Sequence, residues 1–160
     1  MRIEREIELS CPPEAVYDVV MDPRRLGDWV TVHRGLRDAP AGLLRAGSRL
    51  RQSLNLAGLP LEIDWTVVTA ERPERVLWEG RGPAFSHASI SYELLPTPTG
   101  SRFRYANEFE LPGGPLGRIA GAALAGSHLA EREMDRSLER LRALLEPACA
   151  AGANSLEETH

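Results

Sequence analysis

The sequence contains no lysine, only two cysteines and no long hydrophobic run. The net charge of -4 argues against a surface that binds phosphate backbones, so we expect no nucleic-acid partner. Cys11 and Cys149 lie at the edge of the first predicted helix and near the C-terminus. Their separation is not typical of a metal site or of a disulfide framework, and it fits a reducing compartment. The lack of a long apolar segment also predicts no stable insertion into a membrane.

The length of 160 residues predicts one domain with a substantial core. The hydrophobic fraction of 42% and the charged fraction of 26% are typical of a globular protein. The first residues carry charge at alternate positions, which is typical of a strand and not of a secretory signal peptide. We therefore expect a cytoplasmic protein with a domain at residues 1–147 and a flexible tail at residues 148–160.

A long helix is predicted from Leu116 to Leu145, because its apolar residues recur at spacings of three, four and seven. Its first half is rich in glycine and alanine, whereas its second half carries methionine and leucine. Glycine is about 1 kcal/mol less favourable than alanine in a helix, so Gly117, Gly121 and Gly126 indicate a spatial requirement. That requirement is either an unfilled space under the helix or a close approach to a sheet. The sequence leaves both open.

Most of the chain before this helix has the pattern of an antiparallel meander. Arg2–Leu9 alternates as a half-buried strand, and two short helices follow, from about Pro13 to Val20 and from Asp22 to Trp29. Six further strands are separated by turn-rich segments. Their predicted ranges are 30–37, 48–56, 61–71, 75–82, 85–95 and 101–111.

Successive turns of such a meander alternate between the two ends of the sheet, so those at 57–60, 82–84 and 112–115 should share one end. Apolar residues flank these three turns, whereas the opposite turns are polar. Leu56, Leu59 and Phe85 would lie near the tips, where they either fold inward as a lid, which we favour, or meet a ligand, a membrane or a second subunit. We expect the mouth of a cavity at this end.

Alternation also predicts which strand residues face the helix. They are Leu50, Gln52, Leu54, Ile63, Trp65, Val67, Ala88, Ile90, Tyr92, Phe103, Tyr105, Asn107 and Phe109. The polar members either satisfy one another or provide hydrogen bonds for a ligand. The phase of strand 75–82 is ambiguous, because either Trp78 or Glu79 could face inward.

The order of one strand, two short helices, six strands and a long helix resembles the START-like superfamily of polyketide cyclases, dehydrases and lipid-transfer proteins. Four segments carry the resemblance together with the terminal helix, and the match covers about residues 1–147. The segments are Ile7–Val20, Asp22–Trp29, Gly47–Leu50 and Arg72–Gly82. The resemblance implies an α+β helix-grip fold, in which a seven-stranded curved antiparallel sheet wraps around the C-terminal helix. It also implies a hydrophobic pocket between them, but it identifies no catalytic residue.

No metal or nucleotide site is predicted, because the four histidines are far apart and no glycine-rich loop opens a helix after a strand. The pocket is therefore expected to work without a cofactor and to bind a small hydrophobic ligand. Candidate ligand-binding residues are Gln52, Leu54, Trp65, Phe85, Ile90, Tyr92, Tyr105, Asn107, Ala123, Ser127 and His128.

These residues favour the binding, transport or sequestration of an apolar or aromatic molecule such as a lipid or polyketide. The alternative is a polyketide aromatase, cyclase or dehydratase, with Tyr92, Tyr105, Asn107 or His128 transferring protons. A protein-partner module is a third hypothesis, which the polar outer face of the predicted sheet disfavours. Catalysis and oligomeric state stay open.

Overall fold

The computed structural model describes residues 1–56, 58–110 and 128–157, with side chains as far as residue 150. Seven strands form one antiparallel sheet in the order β1-β7-β6-β5-β4-β3-β2. The strands are β1 (Arg2–Leu9), β2 (His33–Arg37), β3 (Arg49–Leu56), β4 (Leu59–Glu71), β5 (Arg75–Arg81), β6 (His87–Thr97) and β7 (Gly100–Glu110). The predicted α+β helix-grip class is confirmed.

Sheet register confirms that the two described turns share one end. Leu56 pairs with Leu59 at the β3–β4 turn, and Arg81 pairs with His87 at the β5–β6 turn. Asp64 of β4 lies opposite Arg81 of β5, so both turns lie at this end of the sheet, and β4 continues beyond that pair to Leu59. The third predicted turn, at 112–115, lies outside the described residues.

Two short helices, α1 (Pro13–Val20) and α2 (Leu26–Trp29), follow β1. Both bury apolar residues in the core, including Val16, Val20 and Trp29, which have no exposed surface. The helices thus cover one end of the inner face of the sheet.

The C-terminal helix α3 extends over Leu129–Glu157. The buried stripe of its second half is confirmed, and its members are Ala130, Met134, Leu138, Leu141 and Leu145. Arg5 of β1 donates from Nε to Asp135 Oδ1 of α3 at 2.9 Å. The predicted first half of this helix, including its glycines, lies outside the described residues.

Helix α3 continues beyond the predicted end at Leu145 and includes Pro147 within it. This extra length brings Cys149 to Cys11, with 5.5 Å between their Cα atoms, and the two form a disulfide. The expectation of no disulfide was therefore wrong, and the argument for a reducing compartment loses its basis. The division of the chain at residue 147 stays a prediction.

Candidate functional site

A continuous layer of aromatic rings covers the inner face of the sheet. Tyr92 of β6 is at its centre, with ring centroids 5.4 Å from both Phe103 and Tyr105 of β7. Trp78 lies 6.2 Å from Tyr92 and contacts Trp65 of β4 edge to face at 6.0 Å. Tilted and edge-to-face contacts at these distances are favourable between aromatic rings. This layer is the floor of the candidate site.

Trp29 of α2 closes the layer from the helix side. Its ring centroid is 6.3 Å from Tyr92 and 5.9 Å from Tyr105. The structure also resolves the phase of β5, because Val76, Trp78 and Gly80 are buried and Glu79 is exposed.

The close approach of two strands explains why a glycine stands beside these tryptophans. A Cβ atom on Gly80 would lie 2.7 Å from the Trp65 ring and from the Ile63 side chain. Real Cβ atoms do not approach other heavy atoms so closely. Only glycine therefore fits at position 80 beside the Trp65 ring.

Several buried polar atoms in this layer have no hydrogen-bond partner among the described residues. They are the indole Nε1 of Trp29, the indole Nε1 of Trp78 and the side-chain Oδ1 of Asn107. Buried polar groups are nearly always paired, because leaving one unsatisfied costs about 1 to 3 kcal/mol. Two donors and one acceptor thus find no described partner in an aromatic environment.

Tyr105 and Asn107 form a polar pair on β7. Their side chains share a face because they are two residues apart on a strand, and Asn107 Nδ2 donates to the Tyr105 hydroxyl at 3.1 Å. Burial raises the pKa of Tyr105 to about 12, although the hydrogen bond from Asn107 opposes this rise. Burial also raises the pKa of Tyr92 well above its usual value. Both hydroxyls are therefore protonated at neutral pH, and Tyr105 keeps its proton for donation.

Gln52 belongs to a different network, which is satisfied within the protein. Trp65 Nε1 donates to Gln52 Oε1 at 2.9 Å, and Gln52 Nε2 lies 2.9 Å from His33 Nδ1. Burial and the nearby Arg34 lower the pKa of His33, so the ring is neutral at pH 7 and its Nδ1 accepts from the amide. This network orients Trp65 and occupies the polar atoms of Gln52.

The inner face changes character along the strands. Near α1 and α2 its residues are fully buried, whereas toward the β3–β4 and β5–β6 turns they are only half-buried. The half-buried residues are Leu56, Leu61, Ala88, Ile90, Asn107 and Phe109. Ile90 lies directly opposite Asn107 in the register of β6 and β7. The unpaired amide oxygen therefore lies at the boundary between the packed and the less packed halves of the face.

The structure does not bring all candidate residues together. Leu54 is buried on β3, but the Phe85 side chain is 95% exposed and does not fold inward as the predicted lid. The His128 side chain is 67% exposed at the start of α3 and lies 3.2 Å from Glu131 Oε2. Ala123 and Ser127 lie outside the described residues.

A depression of about 1060 Å³ lies elsewhere, on the outer face of the sheet. Its lining includes many exposed charged residues from β3 to β7, among which Arg51 donates to Asp64 at 2.7 Å. It is not the predicted pocket, since the aromatic layer is on the other face.

No group of three or more potential metal ligands occurs among the described residues. Within the same part of the chain, no helix is long and apolar enough to cross a membrane.

Two residues of the layer, Trp29 and Trp78, and His33 of the Gln52 network were not among the sequence candidates. Trp29 was predicted only as the end of a short helix, Trp78 had an ambiguous phase, and His33 had no assigned role. A hydrophobic stripe of Val76, Trp78 and Gly80 would have favoured the correct phase of β5, but Leu77 on the opposite phase obscured it. The pairing of His33 with Gln52 has no local signal, because it depends on the register of β2 and β3.

The fold and the inner-face layer define a helix-grip protein with a hydrophobic interior. The polyketide cyclase / dehydrase and lipid transport family matches residues 1–146, and the chain belongs to this family. Toxin Rv0910 of Mycobacterium tuberculosis H37Rv is 26% identical over 125 residues, which cover 77% of this chain and 87% of that protein.

Solved structures agree with the fold. Protein CV1439 of Chromobacterium violaceum superposes with a TM-score of 0.67 at 21% identity, covering 91% of this chain and 98% of that one. A conserved protein of Geobacillus kaustophilus has a TM-score of 0.69 at 18% identity, covering 91% and 95%. At these identities the likeness concerns the fold alone.

Proposed function

We propose that the protein binds an apolar or aromatic small molecule, such as a lipid or polyketide, between the inner face of the sheet and the C-terminal helix. The observation that carries this proposal is the unpaired Asn107 Oδ1 beside the Tyr105 hydroxyl, within an otherwise aromatic surface. Pockets for small molecules are typically apolar with a few polar groups that orient the ligand. The family's description, which includes lipid transport, supports the same class of ligand.

The chemistry of the pair defines what the ligand should carry. Asn107 Oδ1 can accept a hydrogen bond from a hydroxyl, and the Tyr105 hydroxyl can donate one to a carbonyl or hydroxyl oxygen. The surrounding rings favour a flat or branched apolar body. We therefore expect a ligand with one or two oxygen functions and no charge, because a buried charge would find no described counter-ion in this layer.

Native mass spectrometry of the purified protein, followed by solvent extraction, tests the proposal. A panel of neutral lipids and aromatic polyketides is then titrated against the protein. Asn107→Leu should weaken the binding of an oxygenated ligand about 2- to 10-fold, which corresponds to the loss of one hydrogen bond. The binding of a pure hydrocarbon should be unaffected. Glu108→Gln, at the exposed neighbouring position, is the matched control. The proposal fails if nothing is extracted and no compound of the panel binds.

A second function, polyketide cyclisation, is favoured by the protonated state of Tyr105. A hydroxyl with a pKa of about 12 can donate to a carbonyl oxygen that becomes more negative as an enolate forms. Tyr105→Phe should then abolish turnover of a poly-β-ketone thioester while changing its dissociation constant little. If the wild-type protein binds such a compound and returns it unchanged, binding alone is its function.

A further inference from the structure

The turn between β5 and β6 holds an aromatic side chain away from the protein. Phe85 is 95% exposed, and both Ala84 and Phe85 have positive φ angles, of 54° and 63°. Residues with a side chain rarely adopt this backbone conformation. The turn is nevertheless closed by hydrogen bonds, since Gly82 N donates to Ser86 O at 2.9 Å and Ser86 Oγ donates to Pro83 O at 2.8 Å. The exposure of Phe85 is thus imposed by an ordered turn.

A second apolar tip lies at the same end of the sheet. Leu59, at the β3–β4 turn, is 59% exposed, and β4 pairs with β5 as far as Asp64 and Arg81, which lie just before the two turns. Neither tip contains a charged residue, since residues 58–61 read GLPL and residues 82–86 read GPAFS. The two tips form an uncharged apolar end of the sheet, which we name the apolar tip pair, with Leu59 and Phe85 as its exposed side chains.

Charged residues of both signs lie at the base of the tip pair, beginning with the exposed Glu62, which directly follows Leu61 on β4. Arg81 and His87 face each other across β5 and β6, with Asp64 opposite Arg81 on β4 and Glu110 opposite His87 on β7. Asp64 also accepts from Arg51. Acidic and basic groups are thus mixed around the tips, so an occupant of the tips would be recognised by apolar contact more than by charge.

We propose that the apolar tip pair inserts into the interfacial region of a lipid bilayer and docks the protein there reversibly. A protein partner would need about 800 Å² of complementary surface on each side, whereas here two side chains project from a rim of mixed charges. The boundary between headgroups and acyl chains accepts single aromatic and aliphatic side chains and needs no matching shape. The contact is peripheral and lies outside the proposed pocket, so either proposal can fail without the other.

The test is co-sedimentation of the full chain with vesicles of phosphatidylcholine, and with vesicles of equal parts phosphatidylcholine and phosphatidylglycerol. The wild type should partition to both. Phe85→Asn suits the left-handed backbone and should fold normally, as circular dichroism will check, yet it should lower the partition coefficient about tenfold or more. Leu95→Ser is the matched control, because Leu95 is 48% exposed near the opposite end of the sheet. It should partition like the wild type.

Fluorescence provides a second readout that does not depend on loss of function. The three natural tryptophans, Trp29, Trp65 and Trp78, are buried. In the variant Phe85→Trp, the emission of a solvent-exposed tryptophan therefore comes from the tip. That emission should shift to shorter wavelength when vesicles are added. Co-sedimentation of Phe85→Asn alongside a soluble-ligand titration separates docking from ligand binding.

Several outcomes would overturn the proposal. One is a wild type that stays in solution with both vesicle types. Another is an equal loss of vesicle binding in Phe85→Asn and Leu95→Ser. Binding that requires phosphatidylglycerol would also overturn it, because it would assign the contact to charged residues. A third is self-association that Phe85→Asn abolishes without any vesicle binding, which would make a second copy of the chain the occupant of the tips.

Discussion

The disulfide between Cys11 and Cys149 makes a strong prediction about stability. The bond joins the start of α1 to the last part of α3, and its ends are 138 residues apart in sequence. For a loop of that length, the chain-entropy relation predicts about 5 kcal/mol of stabilisation, and native disulfides typically contribute about 2 to 5 kcal/mol. Because domains of this kind have a total free energy of unfolding of about 5 to 15 kcal/mol, its loss is a large change.

Cys149→Ser is the variant of choice, since Cys149 is half-buried whereas Cys11 has no exposed surface. The free energy of unfolding in urea should fall by about 2 to 5 kcal/mol. At about 2 to 4 °C per kcal/mol for a chain of this size, the midpoint of thermal unfolding should fall by about 4 to 20 °C. Reduction of the wild type should lower its stability to that of the variant, and reductant should leave the variant itself unchanged.

Thiol titration in denaturant checks the premise. Protein prepared under oxidising conditions should show no free thiol, and the reduced wild type should show both. The reasoning is refuted if oxidised protein releases two free thiols without reductant, or if Cys149→Ser unfolds at the same urea concentration as the oxidised wild type.

Two further predictions concern the core and pH. Leu141→Ala should lower the free energy of unfolding by about 2 to 5 kcal/mol, because it leaves a cavity at a position with no exposed surface. As the control, Arg140→Ala at an exposed position should change the free energy of unfolding by less than about 0.5 kcal/mol. Equal effects of the two substitutions in urea titrations would contradict the buried stripe. Because burial lowers the pKa of His33, the unfolded chain binds its proton more tightly. Stability should therefore be complete above the unfolded pKa of about 6.5 and should fall as the pH drops below it. His33→Gln should reduce this loss and His87→Gln should not; parallel pH profiles for His33→Gln and the wild type would refute the assignment.

The strand pattern predicts the inner face well, because alternation is a local property. Leu50, Leu54, Trp65 and Tyr105 are buried on the predicted phase. The pair of Tyr105 and Asn107 follows from the same rule, since residues two apart on a strand share a face. By contrast, the direction of Phe85 depends on two positive φ angles in a turn, which composition does not indicate.

Pro147 explains why the sequence favours a helix that ends before Cys149. A proline inside a helix removes a hydrogen bond and costs about 3 kcal/mol, so the sequence favours a helix end there. The structure instead continues the helix, and the next turn carries Cys149 against Cys11. The covalent bond and the buried Leu145 both hold this part of the helix to the core. A contact between residues 138 positions apart thus outweighs the local preference of proline for a helix end, which is the only one of the two that the sequence pattern indicates.

The same distinction separates the two polar networks of the interior. Gln52 lies opposite Ile63, and Leu50 lies opposite Trp65, so the bond between Gln52 and Trp65 is a diagonal contact between strands. Diagonal neighbours are within reach of long side chains, but they can be identified only once the register is known. The register pairs Gln52 within the protein, whereas Asn107 Oδ1 has no partner in the described parts of the chain. Two amides that look equivalent in the sequence therefore differ in the hydrogen bonds they can offer a ligand, and Asn107 is the one with an acceptor to spare.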